Sequence, residues 1–285
     1  MVEKVPMEEP RYKLNAPIGV FDSGFGGLTV LKEIVRLLPQ YDYLYLGDNA
    51  RAPYGNRSFD TVHEYTLQCV ELLFYRGCQL VILACNTASA KALRTIQQKD
   101  LPTIDSTKRV LGVIRPTTEM VGNYSKTKNI GVLGTMGTIA SMSYPIEIEK
   151  FFPGAQVFQQ ACPMWVPLVE NNEFDGDGAD YFIKQDIDKL LSQNNTIDTI
   201  ILACTHYPLL MNKIKKHLPA GIQIVSQGEI VAQSLVDYLN RHQDMESRFT
   251  KGKTVEFLTT DSTEFFDRYT QLFFGQEVKS QQVVI

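Results

Sequence analysis

The sequence contains no apolar run approaching the ~20 residues of a membrane-spanning helix, so no bilayer segment is expected. It has no basic stripe either: 28 lysines and arginines stand against 32 acidic residues, a net charge of −4. The densest basic cluster is Lys213, Lys215 and Lys216 on one predicted helix, which reads as a solvated surface. No nucleic-acid partner is therefore expected. Closely spaced cysteine pairs are absent too. Cys69, Cys78, Cys85, Cys162 and Cys204 are odd in number and scattered, which argues against a disulfide framework and a zinc site. In a reducing compartment each such thiol is either a core residue or a catalyst. No Gly-Lys-Ser/Thr follows the glycine-rich turn at residues 22–27, so it is not a phosphate-binding P-loop. Residues 1–15 are charged and contain proline, without the apolar centre of a signal peptide, and are expected to form a flexible extension of a cytoplasmic protein.

What remains is a chain of 285 residues, 44% apolar and 21% charged, enough for about two packed domains. Short apolar runs alternate with amphipathic stretches, the mark of an α/β fold with largely parallel strands. Strands are predicted at residues 18–21, 43–46, 80–84, 130–133, 199–203 and 222–225, each apolar on both faces, as sheets covered by helices on both sides require. A helix is predicted over residues 61–76, opened by a capping box of Thr61 with Glu64 and closed at Gly77.

Two segments occur twice. Ile18-Gly19-Val20-Phe21-Asp22-Ser23 is echoed by Ile130-Gly131-Val132-Leu133-Gly134-Thr135, and Val81-Ile82-Leu83-Ala84-Cys85 by Ile200-Ile201-Leu202-Ala203-Cys204. One echo between apolar strands is weak; two in the same order point to a duplicated α/β unit. Two such units facing each other would bring Cys85 and Cys204 to opposite walls of one cleft. Open α/β sheets bind ligands just beyond the carboxyl ends of their strands, where both thiols would sit.

Four clusters follow strands: Asp22-Ser23-Gly24-Phe25-Gly26-Gly27, Pro53-Tyr54-Gly55, Cys85-Asn86-Thr87-Ala88-Ser89 and Cys204-Thr205-His206-Tyr207-Pro208. The glycine turn would offer free backbone N–H groups to an anion, with Asn86, Thr87 and Thr205 as further neutral donors. Buried free cysteine is common, but two at equivalent repeat positions, each followed by polar side chains, read better as catalysts. Cys69 shares a helical stripe with Val62, Tyr65 and Leu72 and reads as core. Cys78 leads into a strand and also reads as core, and Cys162 is assigned no chemistry. Asp22 either caps its helix or serves the site. His206, two residues past Cys204, is placed to orient or deprotonate that thiol rather than to fill a core. His63, His217 and His242 read as surface residues.

Taken together these clusters resemble the glutamate racemases of the aspartate/glutamate racemase superfamily. The matching stretches are residues 19–27, Asp48-Asn49-Ala50-Arg51-Ala52-Pro53-Tyr54-Gly55, Cys85-Asn86-Thr87-Ala88, Cys162-Pro163-Met164-Trp165-Val166-Pro167-Leu168-Val169-Glu170, and Cys204-Thr205-His206-Tyr207-Pro208-Leu209. They run in the family's order from about residue 17 to residue 210. The resemblance implies an α/β fold of two pseudo-twofold-related domains, each a mostly parallel sheet flanked by helices, with the active site in the cleft between them. It implies a discontinuous first domain, residues 16–111 plus 226–285, and a second of residues 112–225. The implied activity interconverts L- and D-glutamate at the α-carbon, with neither pyridoxal phosphate nor metal, and supplies D-glutamate for peptidoglycan. A cytoplasmic homodimer is the accompanying expectation. Carried over by position, Cys85 and Cys204 are the acid/base pair, Asp22 assists Cys85, and His206 with Glu170 serves Cys204. Asp22, Ser23, Tyr54, Gly55, Asn86, Thr87, Thr205 and His206 hold the substrate. Three rival readings follow from the same residues: an aspartate racemase, a thiol acyltransferase or amidohydrolase using Cys204 with His206, and a non-catalytic amino-acid-binding module.

Overall fold

The structure is a computed structural model and describes residues 16–285; residues 1–15, expected to be an extension, lie outside the described residues. In chain order the strands are β1 (Ile18–Asp22), β2 (Tyr43–Gly47), β3 (Leu80–Leu83), β4 (Arg109–Gly112), β5 (Asn129–Gly134), β6 (Gln156–Ala161), β7 (Thr199–Ala203), β8 (Gln223–Val225), β9 (Val255–Thr259) and β10 (Ser280–Gln282). They form two sheets, β10-β9-β2-β1-β3-β4 and β6-β5-β7-β8, and every named pairing is parallel. Each predicted strand is present, with ends moved by a residue or two.

The four strands not predicted are β4, β6, β9 and β10. They carry Arg109, Gln156, Gln159, Gln160, Glu256, Gln281 and Gln282, and β4, β6 and β10 are edge strands. An edge strand is wetted along one side, so its sequence lacks the continuous apolar run that marks a central strand. Central β1, β2 and β7 are buried at every residue.

The echo in the sequence is an echo in the fold. The order β2-β1-β3-β4 in one sheet matches β6-β5-β7-β8 in the other. Gly19 pairs with Val81 and Gly131 with Ile200, so Cys85 and Cys204 emerge at equivalent points of the two sheets.

The helix predicted at 61–76 runs from Phe59 to Tyr75. Its cap is Ser58, whose hydroxyl accepts the Thr61 N–H at 3.2 Å, and not the Thr61–Glu64 box. A hydroxyl three residues ahead of a free N–H captures it first, so Thr61 becomes the donor. Gly77, at φ +104°, turns the chain after the helix as expected. The chain reaches the second sheet after β4 through helix Ile114–Met120 and comes back through helix Gln227–Arg241. Val231, Ala232, Leu235 and Leu239 of the returning helix are buried where it packs on helix Leu28–Leu37, which buries Leu28, Val30, Leu31 and Ile34. Burial of each such leucine, valine or isoleucine stabilises the contact by roughly 1.5–3 kcal/mol, which fixes the return crossing against the first sheet. Among the described residues no helix is long and apolar enough to cross a membrane.

Candidate active site

Cys85 follows β3 and caps helix Asn86–Lys91, its sulfur accepting the Ala88 N–H at 3.4 Å. The Ser23 hydroxyl, on the turn after β1, lies 3.3 Å from the same sulfur. Burial pushes the Cys85 thiol up to about 12, and the nearby Asp22 charge adds to the rise while Ser23 and Ala88 oppose it. Asp22 is itself fully buried, which raises its carboxyl above the usual range against the pull of the positive His206. Asp22 Oδ2 accepts the Gly24 N–H at 3.0 Å. The expectation of a free N–H nest for an outside anion at this turn is therefore corrected at Gly24: the carboxylate two residues earlier takes that donor.

On the other half, Cys204 follows β7 with His206 Nδ1 at 3.8 Å from its sulfur. His206 Nε2 in turn meets Glu170 Oε1 at 3.0 Å. Burial disfavours the imidazolium, but the bonds to Cys204 and Glu170 outweigh it and hold His206 well above the ordinary histidine value. Helix Trp165–Glu170 supplies the glutamate from its last position. The first half's turn runs directly against this pair: a methyl group at Gly26 would overlap the Thr205 hydroxyl and the His206 ring. Only glycine allows that approach.

Both thiols open into one cavity of about 70 Å³, which Asp22, Ser23, Tyr54, Gly55, Asn86, Thr87, Glu170, Thr205 and His206 also line. Every site residue expected from the sequence is thus brought together. Cys85 and Cys204 are 6% and 7% exposed, against 0% for Cys69 and Cys78, a difference that separates the thiols facing the cavity from those sealed in the core. Cys162 backs the cavity and its sulfur lies 3.6 Å from the Gln160 carbonyl. A larger open groove of about 820 Å³, between helices Leu28–Leu37 and Gln227–Arg241, has no cysteine on its walls, so the chemistry points to the smaller cavity. Among the described residues no three His, Cys, Asp or Glu side chains gather as a metal ion would require.

Some expected roles shift with the geometry. The Tyr54 hydroxyl is bonded to Asp48, which also accepts from Arg51 at 2.7 Å and Thr260 at 2.9 Å. Tyr54 therefore lines the cavity with its hydroxyl already taken by Asp48. Gly55 accepts the Gly137 N–H at 2.8 Å, and Thr87 meets the Thr135 hydroxyl at 3.0 Å, so these two contacts join the halves at the site. Thr135 and Met136 line the cavity and are absent from the residues expected there. The signal is present for Thr135, since the first echo sets it opposite Ser23. The three histidines read as surface residues stay outside the buried core and find partners near the surface. Half-buried His63 and His217 bond Asp100 and Asp180, each at 2.7 Å, and His242 stacks on Tyr238, because acidic and aromatic side chains of the packing partners reach them.

Comparison with known proteins agrees with this arrangement. Residues 18–235 match the family described as Asp/Glu/Hydantoin racemase. The glutamate racemase of Sulfurihydrogenibium sp. is 39% identical over 269 residues, 94% of this chain and 96% of that protein. The solved glutamate racemase isoform RacE1 of Bacillus anthracis has a TM-score of 0.86 and 34% identity, covering 96% of this chain and 99% of its own. The glutamate racemase of Francisella tularensis, solved in complex with D-glutamate, has a TM-score of 0.84 and 30% identity, covering 96% and 98%. With two duplicated sheets, a thiol from each in one cavity and these relatives, the chain belongs to the Asp/Glu/hydantoin racemase family and, within it, to the glutamate racemases.

Proposed function

We propose that this protein interconverts L- and D-glutamate by passing a proton between the substrate α-carbon and two cysteine thiols, without a cofactor, and that it supplies D-glutamate for peptidoglycan. The observation that carries the reading is the convergence of Cys85 and Cys204 on one cavity from equivalent points of two sheets. Inversion removes a proton from one face of a carbon and delivers one to the other. A base on each side does this without either having to move around the substrate.

The α-proton is a very weak acid, so the carbanion needs preorganised donors at its carboxylate. Ser23, Asn86, Thr87 and Thr205 are the side chains assigned this work, with Asp22 and His206 beside them. A free thiol has a pKa near ~8.5 and is mostly protonated at neutral pH. Cys85 is held further toward the thiol by burial and by Asp22. The form with Cys85 protonated is the one ready for L-glutamate: Cys204 takes the α-proton and Cys85 delivers its own to the opposite face. His206, held positive by Glu170, stabilises charge on Cys204. D-glutamate is processed by the reverse sequence, so the thiol and thiolate exchange places at each turnover.

The domain division that goes with this reading is residues 16–111 plus 226–285 and residues 112–225. It is supported by the origin of the sheets, one drawn from β1–β4, β9 and β10 and the other from β5–β8. A thiol acyltransferase using Cys204 and His206 would leave Cys85, its Ser23 contact and the duplication without a role. The deciding experiment follows the optical rotation of pure L-glutamate with protein dialysed against a chelator and nothing added. Rotation should decay to zero at full rate. Activity that returned only with pyridoxal phosphate or a divalent ion would overturn the cofactor-free scheme, and an acyl-enzyme burst on an activated ester would favour the acyltransferase.

A further inference from the structure

At the cavity wall, three buried polar side chains close a hydrogen-bonded ring, and two of them, Tyr144 and Gln227, have no part in the proton transfer. The Asn86 amide donates to Gln227 Oε1, Gln227 Nε2 donates to the Tyr144 hydroxyl at 2.8 Å, and that hydroxyl donates to Asn86 Oδ1 at 2.7 Å. Asn86 adjoins Cys85 in the first half, Tyr144 lies on helix Ser143–Phe151 of the second, and Gln227 opens the helix of the return crossing. Gln227 Nε2 also meets the Val113 carbonyl at 3.2 Å and Thr117 Oγ1 at 3.1 Å, on the outward crossing.

The ring has one allowed polarity. The Val113 carbonyl only accepts, so the Gln227 amide must turn its nitrogen toward it. Its oxygen then faces Asn86, which must present its own nitrogen. The Asn86 oxygen is left facing Tyr144, whose hydroxyl must be the donor. A backbone carbonyl at the crossing thereby dictates the orientation of a side chain in the cavity, where Asn86 keeps one N–H free of the ring.

We propose that Gln227 and Tyr144 are positioning residues that lock the Asn86 amide in this orientation and so set how tightly the cavity holds glutamate. The inference rests on the reading that Asn86 contacts the substrate. Buried polar networks reward full satisfaction and penalise any missing member, so loss of one partner frees the others to turn.

The test is a double-mutant cycle read as affinity for an equimolar mixture of D- and L-glutamate, by titration calorimetry, together with kcat/KM. Gln227→Met and Tyr144→Phe keep the side-chain volume and remove ring bonds. Each should weaken glutamate binding about tenfold in the otherwise native protein, the effect of one or two lost hydrogen bonds. In an Asn86→Ala background the same changes should cost less than about twofold, because no amide remains to orient. Equal losses in both backgrounds, or unchanged affinity with only a lower melting temperature, would overturn the proposal. Should Gln227→Met fail to fold, Tyr144→Phe, which removes a single oxygen, decides the outcome alone. Native protein that bound no glutamate would instead overturn the functional reading, and this inference with it.

Discussion

Cys85 and Cys204 leave equivalent points of two sheets with the same strand order, yet their surroundings have little in common. Around Cys85 the direct contacts are neutral, a serine hydroxyl and a backbone N–H, with the buried Asp22 carboxyl behind them. Beside Cys204 stands an imidazole held positive by a glutamate. Duplication of the fold accounts for where the thiols are. The residues just past each strand, Asn86-Thr87 in one case and Thr205-His206 in the other, account for how they differ. A near-symmetric reaction is thus assigned to a site that is symmetric in backbone and asymmetric in charge.

The most severe way to break the comparison is to remove either thiol. Cys85→Ala and Cys204→Ala should each lower racemisation by at least roughly 10²–10⁴-fold, the usual worth of a general acid or base. Both losses should be of similar size despite the different surroundings. A variant retaining more than about a tenth of native activity would show that its thiol is not one of the pair.

A smaller effect separates the two sides. Glu170→Gln removes the partner that helps keep His206 charged, a charge-assisted bond worth roughly 1.5–3 kcal/mol. Native His206 titrates well above 6.5, so its bond to Glu170 stabilises the fold fully below that value. That contribution is lost as pH rises through the raised value. In the Glu170→Gln variant the imidazolium, left with Cys204 as its partner, should lose its proton at lower pH, so racemisation should begin to fall at a lower pH than in the native protein. Ser23→Ala, on the neutral side, should lower the rate about tenfold with little change in the shape of the profile. A profile altered equally by both substitutions would contradict the asymmetry.

The slightest perturbation leaves the sequence intact. Cys85 is pushed up to about 12 in the folded protein, so its alkylation by iodoacetamide, followed by peptide mass spectrometry, should still be rising with pH beyond 10. In denaturant the same peptide should level off near the free thiol value of about 8.5. A plateau near pH 8 in the native protein would place Cys85 in a more polar setting than the structure gives it.

Much of this is legible in the sequence because the central strands carry it. Val81-Ile82-Leu83-Ala84-Cys85 and Ile200-Ile201-Leu202-Ala203-Cys204 are continuous apolar runs that must be buried on both faces, and a polar cluster after such a run lies at the carboxyl end of its strand, where open α/β sheets bind ligands. The unreadable parts depend on contacts distant in sequence. Edge strand β6, Gln156-Val157-Phe158-Gln159-Gln160-Ala161, mixes glutamine with apolar residues without a two-residue alternation and looks like a loop until β5 pairs with it. Gln227 has no local mark at all, since its partners Asn86, Val113 and Tyr144 are reached only through the fold. The family resemblance likewise implies a substrate role for Tyr54, but Asp48, brought near by the fold, claims its hydroxyl.

The division of labour between the thiols is tested most directly by hydrogen exchange in D₂O with variants that lack one or the other of the two. Cys204→Ala keeps only the base assigned to D-glutamate. It should slowly introduce deuterium at the α-carbon of D-glutamate with configuration retained, and leave L-glutamate unlabelled. Cys85→Ala should label L-glutamate alone. Mass spectrometry after chiral separation reads both enantiomers at once, over incubations long enough for rates reduced by roughly 10²–10⁴-fold. Equal labelling of both enantiomers by either variant would contradict the account, because one base would then be reaching both faces of the carbon.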